Sequence, residues 1–302
     1  MYAHIVILQS EKGTIFHEGK CVQLFQLVNS MTDMLRQTHG EHARPYAERI
    51  AMHHLAWNRT QLMLDAGRVI SAEIEAQCRR TVGRCCTGEP FEYVTGSAYF
   101  YKREFTVTSA VLIPRPDTEI LVETVLLNEP DGRSFFADMG CGSGILSCIL
   151  TEERLQWWAV AVDCSPDAVE ITAHNRRSDR VLPLCADRFT AIRAGVRFDF
   201  IVSNPPYIPS DSIGLLDPSV GRYEPHCALD GGSDGCAFYR YLADEAPKLL
   251  IPGGALYVEI GYDQGETVPQ LFTSSHWKNP LVKKDHSGHS RVFVVRTIGE
   301  TI

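Results

Sequence analysis

The feature that most constrains this chain is a run of five apolar, strand-like segments separated by helical ones. They cover residues 134–139, 158–163, 181–185, 198–203 and 254–260. Strands that are apolar on both faces must be covered on both faces, so the alternation predicts a parallel sheet between helical layers. Two further segments, 281–285 and 291–296, flank Ser287-Gly288 and predict a closing antiparallel hairpin. The fold class expected is α/β, with 113–302 as one domain.

The chain has 302 residues, enough for a second domain. Ahead of the alternating region, Val22, Phe25, Val28, Met31 and Leu35 recur at helical spacing, as do Tyr46, Ala47, Ile50, Ala51, His54 and Leu55. A third amphipathic stretch begins at Ser71, a good N-cap, and runs to Cys86. Residues 21–89 therefore read as a small helical bundle, broken by Gly88-Glu89-Pro90, with 1–20 as an extension. From 90 to 112 the aromatic and β-branched texture (Tyr93, Val94, Tyr99, Phe100, Tyr101, Phe105, Val107) predicts an extended, hairpin-like linker.

Composition narrows the function. Lys and Arg total 29 against 37 Asp and Glu, a formal charge of -8, which argues against a non-specific nucleic-acid coat. The ten cysteines include no Cys-x-x-Cys pair and no finger-like histidine spacing, so no metal site is expected. The apolar run at residues 3–8 is too short for a signal peptide, and no stretch reaches membrane-span length. Free thiols without an export signal predict the reducing cytoplasm.

The strand 134–139 runs straight into Gly140-Cys141-Gly142-Ser143-Gly144. Glycines are needed where backbone turns sharply against a ligand, and the helix that follows presents its free N–H groups to the same place. A dinucleotide fingerprint would need glycine at position 145, where Ile145 stands, and no Gly-Lys-Ser/Thr follows for a phosphate loop. Asp163 ends the second strand, where an acid can accept both ribose hydroxyls, and Asp187 after the third can accept from an adenine amine. A helix cap is the ordinary alternative for either aspartate.

Asn204-Pro205-Pro206-Tyr207 follows the fourth strand and so sits at the same sheet edge. This string suits methyl transfer to a planar nitrogen, whose lone pair is delocalised. The Asn204 side-chain oxygen and the Pro205 carbonyl can accept from both N–H groups, proline stiffens the loop, and Tyr207 offers a flat face. Alone, the same four residues could be a rigid turn. Behind an alternate-glycine loop and an Asp-ended strand, they read as the reacting end.

Together these motifs resemble the HemK/PrmC family, glutamine methyltransferases acting on class I peptide chain release factors. The resemblance runs from about Ala43 to Val294. It is carried by Gly88-Glu89-Pro90-Phe91-Glu92-Tyr93-Val94-Thr95-Gly96, Ile113-Pro114-Arg115-Pro116-Asp117-Thr118-Glu119, the glycine loop, and Asn204-Pro205-Pro206-Tyr207-Ile208-Pro209. Tyr223-Glu224-Pro225, Ala228-Leu229-Asp230-Gly231-Gly232 and Glu259-Ile260-Gly261 add to it.

The resemblance implies a helical substrate-recognition domain, a hairpin linker and a Rossmann-like class I methyltransferase domain with a mixed seven-stranded sheet and an antiparallel closing strand. It implies S-adenosylmethionine as cofactor, S-adenosylhomocysteine as product, and the Gly-Gly-Gln loop of a release factor as substrate. Carried onto this chain, the catalytic residues are Asn204, Pro205, Pro206 and Tyr207. The cofactor contacts are Asp138, Gly140, Cys141, Gly142, Gly144, Asp163, Asp187 and Asn204, with Cys141 where the family often has Thr. Arg115, Pro116, Thr118, Glu119 and Tyr207 form the substrate pocket, although 114–119 also reads as a plain helix start. The Arg-Pro-Asp-Thr string favours release factors over the ribosomal-protein glutamine methyltransferases, which resemble a Pro-Arg-Ser-Pro version. The expected protein is a cytoplasmic monomer without direct nucleic-acid or membrane partners. An adenine exocyclic-amine methyltransferase of DNA or RNA is the main rival reading, since the same motif serves a flipped base, and a non-catalytic scaffold is the last.

Overall fold

The computed structural model describes residues 22–299; the expected extension at 1–20 lies outside the described residues. The chain divides at Val94/Thr95 into two compact units.

The first unit is helical. β1 (Val22–Gln23) pairs antiparallel with β2 (Val69–Ile70) and ties off α1 (Leu24–His39), α2 (Ala43–Leu55), α3 (Arg59–Leu64) and α4 (Ala72–Cys85). Leu24, Leu27, Val28, Met31 and Leu35 form the buried stripe of α1 and pack with Ala47, Ile50 and Ala51 of α2. Val22 falls in β1 and Phe25 is exposed, so the stripe sits one residue away from the spacing expected at its start. Ser71 caps α4 as expected, its hydroxyl accepting from the Ile74 amide at 3.3 Å. α3 was not legible: its apolar residues are consecutive and only Leu62 is buried, but Asn58 and Gln61 form a capping box that starts it.

Where an extended linker was expected at 90–112, residues Phe91–Thr95 instead form a short helix, α5. The Pro90 carbonyl accepts from the amides of Tyr93 and Val94, and Phe91 packs edge-on to Tyr46 in the first unit's core. The hairpin itself is present, as β3 (Ser97–Phe100) and β4 (Arg103–Thr106). Tyr101 and Lys102, both at positive φ, make its two-residue turn. Phe100 and Phe105 are buried in the second unit's core, so the hairpin is part of that unit.

The second unit continues through α6 (Glu119–Asn128), β5 (Ser134–Met139), α7 (Ile145–Glu153), β6 (Trp157–Asp163), α8 (Pro166–Asn175), β7 (Val181–Cys185) and β8 (Phe198–Ser203). It then adds α9 (Pro218–Tyr223), α10 (Ala237–Glu245), β9 (Leu250–Glu259), α11 (Thr267–Gln270), β10 (Trp277–Lys284) and β11 (Ser290–Thr297). The seven strands order as β10-β11-β9-β8-β5-β6-β7, parallel except for β11, which is antiparallel to β9 and to β10. This is the mixed, Rossmann-like α/β sheet expected.

Alternate residues of the central strands feed two cores. Phe136, Phe200, Val202 and Tyr257 point to the face covered by α6 and α7, while Ala137, Met139, Ile201 and Leu256 point to the face covered by α10. Phe200 is the keystone of the first: it stacks on Phe136 at 4.6 Å and meets Trp157 and Tyr257 edge-on. Sheet order reverses at β5, with β6 on one side and β8 on the other, and ligand crevices open at the carboxyl ends of strands flanking such a reversal.

Phe200→Ala is expected to destabilise the sheet unit by about 3–5 kcal/mol, the usual cost of emptying a buried aromatic site. Urea unfolding followed by tryptophan fluorescence, with Trp157 against the deleted ring, measures it.

Candidate active site

The loop after β5 is folded around the end of β6. The amides of Gly140 and Cys141 both donate to the Val162 carbonyl, at 2.9 and 3.0 Å. Gly140, Gly142 and Gly144 all adopt positive φ (71°, 53° and 76°), which side chains resist. A Cβ on Gly144 would strike Thr172 at 2.8 Å, whereas on Gly140 or Gly142 it would meet nothing within 4 Å. Those two open positions line a cavity of about 320 Å³ at the carboxyl edge of the sheet.

Asp163 holds the loop in that shape. Its Oδ2 accepts from the Gly142 amide and its Oδ1 from the Ser165 amide, both at 2.9 Å, and each oxygen retains a lone pair for a further donor. Asp187 also borders the cavity; it is exposed, and its carboxylate bonds the Arg188 guanidinium at 2.9 Å. The Cys141 thiol packs inward against the Thr172 hydroxyl at 3.4 Å, and burial pushes it well above the usual thiol range.

Asp138 is placed differently from the other residues of the expected cofactor set. It is fully buried and off the cavity wall. Its Oδ2 accepts from the Ser147 amide and hydroxyl, at 3.0 and 2.6 Å, pinning the start of α7, while Oδ1 has no partner. Desolvation raises this carboxyl to about 7 against those two hydrogen bonds, with the Asp163 charge adding a smaller push.

The reacting loop is brought to the same edge by Ser203, whose buried hydroxyl donates to the Met139 carbonyl at 2.6 Å. The next residue, Asn204, lines the cavity and donates from Nδ2 to Thr118 Oγ1 at 3.1 Å. Its Oδ1 is unengaged, and the carbonyl of the buried Pro205 accepts no hydrogen bond from the described residues. Pro206 lines the cavity; Pro205 and Tyr207 stand behind it. Burial pushes the Tyr207 phenol well up, with the charge of Glu259 a second cause.

The backbone of Tyr207 is clamped. Gln264 Nε2 donates to its carbonyl at 3.2 Å, a Cβ on Gly231 would lie 2.8 Å from its Cα, and one on Gly235 would overlap its carbonyl.

Of the expected substrate pocket, Arg115 and Thr118 line the cavity, and Arg115 is ion-paired to Glu224, whose side chain is buried. Pro116 and Glu119 do not line it: Pro116 opens a 3₁₀ turn, and the Glu119 carboxylate accepts from the Tyr101 amide at 2.9 Å, bracing the hairpin turn. Pro225, Cys227 and Ala228, after α9, and Phe238, in α10, add to the wall; no single motif of the sequence tied them to the glycine loop.

Residues 26–96 match the family described as PrmC N-terminal domain, and residues 115–213 match the family described as Methyltransferase small domain. A release factor glutamine methyltransferase from Geobacter sulfurreducens is 38% identical over 254 residues, covering 83% of this chain and 89% of that protein. The chain belongs to the release factor glutamine methyltransferase family. A relative with the same name from Aquifex aeolicus is 35% identical over 269 residues, covering 87% of this chain and 94% of its own length. One from Moorella thermoacetica is 40% identical over 221 residues, covering 71% and 77%. Among solved structures, a methyltransferase from Pyrococcus furiosus aligns with a TM-score of 0.49 at 17% identity, covering 66% of this chain and 91% of that one.

The residues present fit S-adenosylmethionine, the methyl donor of this family. The space that a Cβ at Gly140 or Gly142 would fill is open backbone for a ligand to lie against. Asp163 keeps lone pairs beside the cavity that would suit a ribose diol, Asp187 stands one strand further on, and Asn204 borders the same cavity.

Asp163→Ala is expected to weaken S-adenosylmethionine binding about 10- to 100-fold, the scale of losing hydrogen bonds to a charged acceptor, as read by calorimetry. Asp138 gives a pH test. Its folded carboxyl is raised above the unfolded value, so its contribution to stability is full below about pH 4 and is lost as pH rises through about 7. Asp138→Asn removes that dependence. Relative to wild type, urea stability is expected to shift in the variant's favour by about 2–3 kcal/mol between pH 5 and pH 8.

Proposed function

We propose that this protein transfers a methyl group from S-adenosylmethionine to the side-chain amide nitrogen of the glutamine in the Gly-Gly-Gln motif of class I peptide chain release factors. The observation that carries this reading is Asn204 Oδ1, an acceptor on the cavity wall unengaged among the described residues, followed by Pro205, whose carbonyl also accepts no hydrogen bond from them though the residue itself does not line the cavity. A primary carboxamide has two N–H groups in one plane, and two acceptors suit it.

When bound, S-adenosylmethionine supplies a methyl carbon on a positively charged sulfur, open to attack by a nitrogen lone pair. Asn204 and Pro205 fix the plane of the amide and draw density toward its nitrogen by accepting from both hydrogens. Asn204 does not serve as a base, because an amide does not ionise usefully near neutrality. Tyr207, which does not line the cavity, anchors the end of the loop through its clamped backbone. The contribution to rate is positioning and preorganised dipoles.

Arg115-Pro116-Asp117-Thr118 supports a release factor over a ribosomal protein, and the charge of -8 supports a protein partner over a nucleic acid. The same reading takes the chain as a cytoplasmic monomer; no helix among the described residues is long and apolar enough to cross a membrane.

Incubation with S-adenosylmethionine and a release factor, followed by peptide mass mapping, is expected to find one added methyl on the Gly-Gly-Gln peptide. Asn204→Ala is expected to lower turnover by about 100-fold or more, the scale of losing one preorganised hydrogen-bond partner. Faster methylation of DNA or RNA than of release factor overturns the reading.

A further inference from the structure

We propose that Tyr241 of α10 is a positioning residue for the adenine end of S-adenosylmethionine: standing off the cavity wall, it holds the turn that carries Asp187. This rests on the cofactor reading of the cavity and is independent of which methyl acceptor is used.

Asp187 follows β7 with its root fixed. The amide of Ala186, one residue before it, donates to the Asp163 carbonyl at 2.9 Å, which ties both aspartates to the end of β6. Beyond Asp187 the chain closes a turn, the Thr190 amide and hydroxyl donating to the Asp187 carbonyl at 3.2 and 2.8 Å. The first central residue of that turn, Arg188, has a φ of 53°, while the second, Phe189, stays out of the positive range. Turns of this kind ordinarily use glycine at the first central place, because a Cβ there crowds the backbone. An arginine persists in such a conformation only where its surroundings hold it.

Tyr241 makes the holding contacts. Its phenolic oxygen accepts from the Phe189 amide at 3.2 Å, and its ring lies at 26° to that of Phe189 with centroids 6.0 Å apart. The Arg188 guanidinium lies over the same ring, 4.5 Å from its centroid. Phe238 meets the ring edge-on at 6.2 Å. Arg188 and Phe238 line the cavity, and Tyr241 does not. One side chain therefore braces two parts of the wall from outside it.

The consequence falls on Asp187. Arg188 Nε donates to its Oδ1 at 2.9 Å, and its Oδ2 accepts no hydrogen bond from the described residues. Oδ2 is thus the atom open to an adenine amine. An exposed ion pair between neighbours is weak by itself, so the guanidinium stays beside Asp187 because the Tyr241 ring also holds it. Without Tyr241 the left-handed residue relaxes and the direction of the Asp187 carboxylate relaxes with it. The Gly142 amide and the Asp163 carboxylate keep their own bond, so the loss is confined to recognition of the base.

Tyr241→Phe removes only the acceptor for the Phe189 amide, Tyr241→Leu removes the ring as well, and Arg188→Gly makes the left-handed shape easy. By calorimetry with S-adenosylhomocysteine, Y241F is expected to bind about threefold and Y241L about tenfold more weakly than wild type. On an R188G background, Y241F is expected to shift affinity by less than about 1.5-fold, the non-additivity of residues that act through one turn. A second ligand isolates the base: the analogue with two methyl groups on the adenine amine has no N–H to offer Asp187. Wild type is expected to prefer S-adenosylhomocysteine to that analogue by about tenfold, and Y241L by about twofold or less. A general loosening of the fold would weaken both ligands alike and leave the preference intact. Y241F keeps the volume of the side chain, so its shift and the cancellation by R188G decide the matter even where Y241L does not fold. Failure of wild type to bind S-adenosylhomocysteine overturns the cofactor reading and this inference with it. Binding by wild type with affinity and preference unchanged in Y241L, or a full Y241F loss on the R188G background, overturns this inference alone.

Discussion

One buried hydroxyl joins the two halves of the candidate active site. Ser203, the last residue of β8, donates to the carbonyl of Met139, the last residue of β5, and from these two neighbours the reacting loop and the glycine loop depart. Hydrogen bonds between strands stop where strands diverge, so the ends of adjacent parallel strands are where a sheet most easily splays. A side chain bridging that point keeps Asn204 and Gly140 on one rim. The left-handed glycines and the Asp163 carboxylate that holds them then shape one end of the cavity, and Thr118, accepting from the Asn204 amide, shapes the other.

Two buried acids with raised affinity for protons, Asp138 and Glu259, lie just behind this rim, each with one unpartnered oxygen. They differ in what they hold. Asp138 secures the start of α7, a backbone task, while Glu259 closes β9, where its backbone carbonyl accepts from the buried Tyr239 hydroxyl. Both carry the desolvation cost that a purely structural core would avoid by using apolar residues.

Much of this was legible from residue order because the informative features are local. The parallel sheet showed as both-faces-apolar strands, and the glycine loop and Asn204-Pro205-Pro206-Tyr207 are contiguous strings. What was not legible depends on contacts distant in sequence or on turns that look like breaks. β9 begins at Leu250, ahead of the expected residue 254, because the strand passes through Pro252-Gly253-Gly254 as an irregularity in its pairing with β8. Phe91–Thr95 alternates like a strand but is helical, started by Pro90. Asp138 sits in the same string as the loop glycines, yet its side chain turns to the interior, and Glu119 turns to the hairpin. The bond from Asn204 to Thr118 joins two separate segments, and no spacing rule announces it.

The tight seating of Tyr207 sets a direction for change in this scaffold. With Gly231 and Gly235 against its backbone and Gln264 on its carbonyl, the loop behind the reacting residues has no slack. A bulkier acceptor group cannot be accommodated by retreat of that loop. New substrates would have to be admitted elsewhere along the cavity wall, where Pro225 and Phe238 are side chains without the ion pair that holds Arg115 to Glu224. Diversification of such enzymes is thereby channelled to one bank of the crevice, and the chemistry is inherited with the other.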